Sequence, residues 1–276
     1  MNATQGSKVQ AAVAWGLKGL ALASGGILLV GGPAEALPPA APQASPLAAP
    51  RCAAPQPGRY VVMGQGQVAA EPVARILQET WQPDGRLSGV RLERRGLAYR
   101  ESSYGGTYRP ISGCRVSIER TYGDAISRSQ AVLDNGGVPR YSLGTLPDLV
   151  VASRWFRQPE GRCSAGLLDG TVVSMQQGLD WKAGRWTPNA VIQNESWSGG
   201  KVNGIAISSY GSTIEEATYT GSIEVTPDCL ATVRQQDSLG VNYNYRAVVL
   251  ADRSGYLYLQ TDPNDLTVGW LERVRP

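Results

Sequence analysis

The sequence predicts an all-β protein made of two tandem antiparallel up-and-down barrels, each of about eight short strands. Three observations carry that expectation. The chain repeats itself once beyond residue 51. Each copy breaks into short β-favouring runs separated by turn signals. Neither copy holds a capped amphipathic helix.

The repeat decides the organisation. Gly58, Val61, Met63, Gln65 and Gly66 recur 112 positions later as Gly170, Val173, Met175, Gln177 and Gly178. Pro72, Ala74, Ile76, Glu79 and Trp81 recur 116 later as Pro188, Ala190, Ile192, Glu195 and Trp197. Gly85, Gly89, Gly96, Tyr104, Gly106 and Cys114 recur 115 later as Gly200, Gly204, Gly211, Tyr219, Gly221 and Cys229. Val132, Leu133 and Tyr141 match Val249, Leu250 and Tyr258, and Trp155 matches Trp270. Chance similarity does not hold its order over half a chain, so the copies are placed at 52–160 and 163–276.

Each copy reads as strands. In the second, the runs 170–177, 189–197, 201–209, 213–225, 229–236, 242–250, 255–260 and 267–274 are rich in Val, Ile, Thr and Tyr, and several alternate by two. Gly199-Gly200, Asp252-Arg253-Ser254-Gly255 and Asp262-Pro263-Asn264-Asp265 separate them as turns, and Asp134-Asn135-Gly136-Gly137 does so in the first copy. The stretch 69–80 has a weak helical pattern, but its counterpart at 189–197 prefers strand, so strand is expected in both. Closure into a barrel removes the exposed sheet edges; a sandwich of the same strands is the alternative.

Residues before the repeat read as an address and a tether. Lys8 and Lys18 precede an apolar run over 19–32, and Ala34-Glu35-Ala36 fits a cleavage site. Residues 1–36 are therefore expected to be a signal peptide, leaving no membrane span once removed, and the protein to be periplasmic or extracellular. Residues 37–51, rich in Pro and Ala, read as an extended linker.

Four cysteines in an exported chain imply two disulfides. The repeat pairs Cys52 with Cys114 and Cys163 with Cys229, so that each copy closes itself. With no histidine and no Cys-x-x-Cys pair, no metal site, cofactor or catalytic residue is assigned, and the protein is expected not to be an enzyme. The net charge of +3 does not point to nucleic acid. It hides an asymmetry: residues 52–162 hold 15 Arg against 10 acids, whereas 163–276 hold 8 basic against 12 acidic residues. Opposite charge would let the copies dock on each other. The arginines 91, 94, 95, 100 and 109 either face an anionic surface or line a solvated strand.

Candidate ligand-binding residues come from two patterns. Pro-x-Ala-x-Ile-x-x-Glu-[Thr/Ser]-Trp occurs at 72–81 and at 188–197, placing Glu79 with Trp81, and Glu195 with Trp197, on one strand face. Turned inward, that face carries a carboxylate of raised pKa beside an indole; turned outward, the Glu is merely solvated. Trp181 and Trp186 bracket a short polar stretch that reads as a loop, where indoles stack on a ligand or close a barrel mouth. Glu215-Glu216 point to opposite faces and do not form a glycosidase pair.

Gly105-Gly106-Thr107-Tyr108 before Cys114, and Gly221-Ser222-Ile223 before Pro227-Asp228-Cys229, resemble a motif of secreted bacterial proteins of uncharacterised function. The resemblance runs over 52–276, twice, and implies a small lipocalin-like or allene-oxide-cyclase-type barrel. The first copy departs from it at Arg109-Pro110 and at Gly113, where the second has Asp228. These are fold positions and transfer no catalytic residue. The expected role is binding a small apolar or amphipathic ligand. The alternatives are an interaction module of the cell envelope with filled barrels, docking an envelope partner, and an allene-oxide-cyclase-like enzyme.

Overall fold

The computed structural model describes residues 51–211 and 213–274. The expected signal peptide, and the expected linker up to residue 50, lie outside the described residues.

Two closed eight-stranded antiparallel barrels follow one another along the chain. The first runs β1 (Gly58–Val68), β2 (Glu71–Trp81), β3 (Arg86–Arg95), β4 (Ala98–Ile111), β5 (Arg115–Tyr122), β6 (Ala125–Leu133), β7 (Pro139–Gly144) and β8 (Leu149–Gln158). A single 3-10 turn, Ala165–Leu168, leads into the second: β9 (Gly170–Lys182), β10 (Arg185–Ser198), β11 (Lys201–Tyr210), β12 (Thr213–Val225), β13 (Leu230–Asp237), β14 (Asn242–Val249), β15 (Gly255–Gln260) and β16 (Asp265–Arg273). Within each barrel every strand pairs with the next, and β8 returns to β1 as β16 returns to β9. The stretch 69–80 is strand, as its counterpart required: Ala69 and Ala70, both at positive φ, make the tight turn that opens β2.

One face of each strand fills its barrel. Tyr60, Val62, Leu77, Trp81, Ile118 and Trp155 pack inside the first, and Val172, Trp197, Val202, Val233, Tyr256 and Leu271 inside the second. A disulfide clips one end of each barrel, Cys52 to Cys114 and Cys163 to Cys229, with Cα separations of 5.6 and 4.8 Å. Two disulfides fit an oxidising environment. Among the described residues no helix is long and apolar enough to cross a membrane.

The outward faces of β1–β3 pack on those of β14–β16. Val61, Ala74, Ile76 and Leu92 of one barrel and Val248, Leu250, Leu257, Leu259, Leu266 and Val268 of the other form one buried cluster. Around it, Gln65 Nε2 donates to the carbonyls of Gln177 (3.1 Å) and Val268 (3.3 Å), Gln158 Nε2 to that of Val249 (3.0 Å), and Arg246 pairs with Glu101 at 3.0 Å.

Register corrects one repeat match. Val62 pairs with Trp155 in the first barrel; its counterpart Ser174 pairs with Leu271. Trp155 therefore corresponds to Leu271 rather than Trp270. Trp155 is inside its barrel, donating to Ser142 Oγ at 2.9 Å, whereas Trp270 faces outward, edge-on to Phe156 with centroids 4.9 Å apart.

Candidate functional site

Both Glu–Trp pairs point into their barrels, and each carboxylate is built into a different network. Glu79 Oε2 accepts from Trp81 Nε1 (3.1 Å) and Oε1 from the Tyr104 hydroxyl (2.7 Å). Oε1 also accepts from Arg120 Nε in a fully buried ion pair, and Arg120 continues to Ser129 Oγ at 2.9 Å. In the second barrel Glu195 accepts from Trp197 Nε1 (2.8 Å), the Tyr219 hydroxyl (3.0 Å), Gln235 Nε2 (2.9 Å) and the Tyr256 hydroxyl (2.7 Å). Gln235 stands where the first copy has Arg120, so this carboxyl has four donors and no cation. Burial pushes its pKa up, against the pull of the four hydrogen bonds. Gly89 and Gly204 make room for both arrangements: a side chain there would collide with the Tyr104 or Tyr219 ring that reaches the carboxylate.

The rest of the interiors diverges. Arg75, Arg91 and Glu93 occupy the far end of the first barrel, with the Arg91 guanidinium 3.9 Å from the Tyr122 ring centroid. Strand register places Val191, Ala206 and Ser208 at the same positions of the second. Shorter side chains leave a polar cavity of about 50 Å³ there, lined among others by Gln176, Asn189, Gln235, Asp265 and Thr267. That is far below the ~300–1,000 Å³ of ordinary small-molecule sites.

Trp181 and Trp186 do not sit on a loop. They face each other across the β9–β10 hairpin, rings edge-to-face at 5.2 Å, and its two-residue turn is Ala183-Gly184, both at positive φ. The polar residues between them belong to the strand ends and this turn. Trp186 packs against the cluster between the barrels, and both indoles are half-buried.

The arginine cluster is likewise dispersed. Arg91 is inside the first barrel, Arg94 is buried at the junction with Nη1 3.1 Å from the Thr261 carbonyl, Arg95 pairs with Glu71 at 2.7 Å, and Arg100 and Arg109 are exposed. They do not form one anionic-partner surface, because alternate strand residues lie on opposite faces.

A large concavity lies outside the barrels, where β6–β8 meet β9 and β16. This groove, of about 1090 Å³, is lined by Met63, Val132, Tyr141, Leu143, Met175 and Trp270 among others. Tyr141, Leu143 and Met175 are more than half exposed. Arg154 crosses it with its guanidinium 4.6 Å from the Trp270 ring and 4.9 Å from Phe156, and Arg115 lies at its edge, 3.3 Å from Gln130 Oε1. Among the described residues neither arginine has an acidic partner. The groove left no sequence signal, because its lining comes from seven strands of two copies.

No protein-family model matches the sequence, and no curated protein matches it. Among solved structures, the chain is similar to a crystal structure of a protein of unknown function of the DUF3598 family from Nostoc punctiforme. Identity is 10%, coverage 79% of this chain and 96% of that one, and the TM-score 0.24.

Proposed function

We propose that this is an exported, non-enzymatic binding protein that works from the groove between its barrels, taking an amphipathic molecule with an anionic head. The observation carrying this reading is the pairing of an open apolar trough with two arginines that have no acid to neutralise them. Contiguous exposed apolar surface of this kind marks a binding site, and the guanidinium on Trp270 is placed to meet a carboxylate or phosphate at the end of an apolar tail. The filled first barrel and the small polar cavity of the second argue against carriage inside a barrel. The disulfides and leader favour a periplasmic or extracellular location.

Titration of the oxidised protein with a fluorescent long-chain fatty acid tests the reading. Leu143→Glu should abolish binding. Arg154→Gln should weaken it about tenfold or more, since a hydrogen bond to a charged group contributes about 1.5–3 kcal/mol. Glu195→Gln should leave affinity unchanged. Loss of binding on Glu195→Gln with retention in Leu143→Glu would return the ligand to the barrel interior.

A further inference from the structure

Duplication left each barrel with the same two apolar outer faces, and the junction inside the chain covers only one of each. On β1–β3 of the first barrel, Val61, Ile76 and Leu92 are inaccessible and Met63 and Val90 partly covered, because β14–β16 of the second barrel lie on them. Strand register matches these five, in the same order, to Val173, Ile192, Ile207, Met175 and Ile205 on β9–β11. All five counterparts are apolar, yet all are exposed, from 38% at Val173 to 75% at Met175.

The other face shows the converse. Val248, Leu257, Leu259 and Leu266 of the second barrel are buried against the first. Register also moves Val132 and Tyr141, matched by residue type to Val249 and Tyr258, onto Val248 and Leu257. It matches Leu143 to Leu259 and Val150 to Leu266. These four residues of β6–β8 are apolar in their turn and exposed, Val132 the least at 46%.

We infer that this chain associates head to tail with further copies of itself, the β9–β11 face of one molecule covering the β6–β8 face of the next as β1–β3 covers β14–β16 within the chain. The apolar contact has its precedent in that junction, which buries the same strand positions of the same unit. The polar residues framing the junction recur as well. Gln65 and Gln78, whose amides donate to carbonyls of the second barrel, correspond to Gln177 and Asn194, both exposed. Glu101, which pairs with Arg246 across the junction, corresponds to Glu216, exposed and without a basic partner among the described residues. Gln130 holds the place of Arg246, and Arg115 rests on it, so Glu216 of one molecule meets Arg115 of the next. The net charges agree, since an acidic repeat is brought onto a basic one.

Because the two faces differ, the contact is heterologous: a docked molecule still offers a free face, and copies add until a ring closes or a filament grows. Ile192 and Ile207 line no part of the groove, so association stands apart from ligand binding. The two overlap at Leu143 and Met175, which a ligand and a second copy cannot share.

Sedimentation velocity of the oxidised full chain over a wide range of concentration tests this, with Ile192→Glu spoiling one face and Leu143→Glu the other. Wild type should form species of rising mass as concentration rises, and each variant alone should stay monomeric. An equimolar mixture of the variants should give a dimer and nothing larger, because the intact β9–β11 face of Leu143→Glu meets the intact β6–β8 face of Ile192→Glu. A wild type that is monomeric at every concentration would overturn the inference, as would a mixture that stays monomeric. Self-association of either variant alone would overturn it too, since that requires contact between like faces. Both substituted side chains are exposed, so the fold should survive; should a variant misfold, the wild-type masses decide. Ile192→Glu should bind the fatty acid at least as tightly as wild type, which keeps the loss of association distinct from a loss of ligand binding.

Discussion

Glu79 and Glu195 descend from one position, and the comparison separates what a buried carboxylate costs from what its partner contributes. Replacing Glu79 by Gln leaves the Arg120 guanidinium buried without a counter-charge, and breaking a buried pair in this way costs about 3–5 kcal/mol. Glu195→Gln leaves no orphan charge. Its amide can meet Gln235 once that side chain turns its carbonyl inward, and the tyrosine hydroxyls can accept as well as donate. Denaturant melts should therefore show Glu79→Gln as strongly destabilised and Glu195→Gln as nearly neutral. The pH dependence of the latter carries a sign. The folded-state pKa of Glu195 is raised, so the native protein binds more protons than the unfolded chain between the ordinary carboxylate range and the raised value. Its contribution to stability is fullest at acid pH and declines as pH rises through that window. The wild-type minus Glu195→Gln difference in melting temperature should fall across it, and a flat difference would show that the carboxyl is ionised throughout. The sequence made the Glu–Trp pair visible by repeating it. It also repeated Gly89 with Tyr104 as Gly204 with Tyr219, but only the fold, which sets each tyrosine hydroxyl on its carboxylate, makes them site residues. Tyr141, Met175 and Trp270 come from distant strands of both copies, so only the packing of the barrels brings them together.

At the level of elements, alternation by two and turn residues were sufficient wherever a strand has one wet face. The run 213–225 coincides in this way with β12, whereas 255–260, which coincides with β15, is buried on both faces and was delimited by its turns alone. Boundaries failed where local composition and tertiary pairing disagree. Lys182, Ala183, Gly184 and Arg185 look like loop, yet β9 and β10 continue to within two residues of each other because Trp181 and Trp186 pair across them. The same logic misplaced Trp155: identity of residue type matched it to Trp270, whereas strand register matches it to Leu271. Disulfides were legible because duplication left one consistent pairing. Cys163 anchors the segment before β9, including the 3-10 turn with buried Leu168, to the turn ahead of β13. Their separation of 66 residues makes the bond worth roughly 4 kcal/mol in loop-closure entropy. Cys163→Ser should accordingly lower the unfolding free energy by an amount of that order and leave Cys229 reactive once the end of the barrel opens. A thiol probe that finds no free Cys229 in the denatured variant would contradict the pairing.

For the whole molecule, the question is what joins the two barrels. Opposite net charge offers one answer, and the Arg246–Glu101 pair at 3.0 Å is its clearest instance. That pair is partly exposed, and exposed ion pairs contribute about 0–1 kcal/mol. Against it stand Ile76, Leu92, Leu257 and Leu259, each essentially inaccessible on the outer faces of strands that would otherwise meet water. Removing one such side chain costs about 2–5 kcal/mol, several times the ion pair. Glutamine bonds to carbonyls of the other barrel then fix the register without adding net charge. The apolar cluster should therefore dominate, and the two barrels should unfold as one cooperative unit. In about 1 M salt, where the Debye length is about 3 Å, the single transition should persist with little change in midpoint. Combining Ile76→Ala with Leu257→Ala should instead separate it into two transitions, one for each barrel, when followed by calorimetry. These residues share one cluster, so their effects should not simply add. Two transitions in salt alone, with the double variant still cooperative, would give the junction to charge after all. The outcome bears on the groove directly, because its floor, at Gln65, Val268 and Trp270, exists only while the barrels stay together.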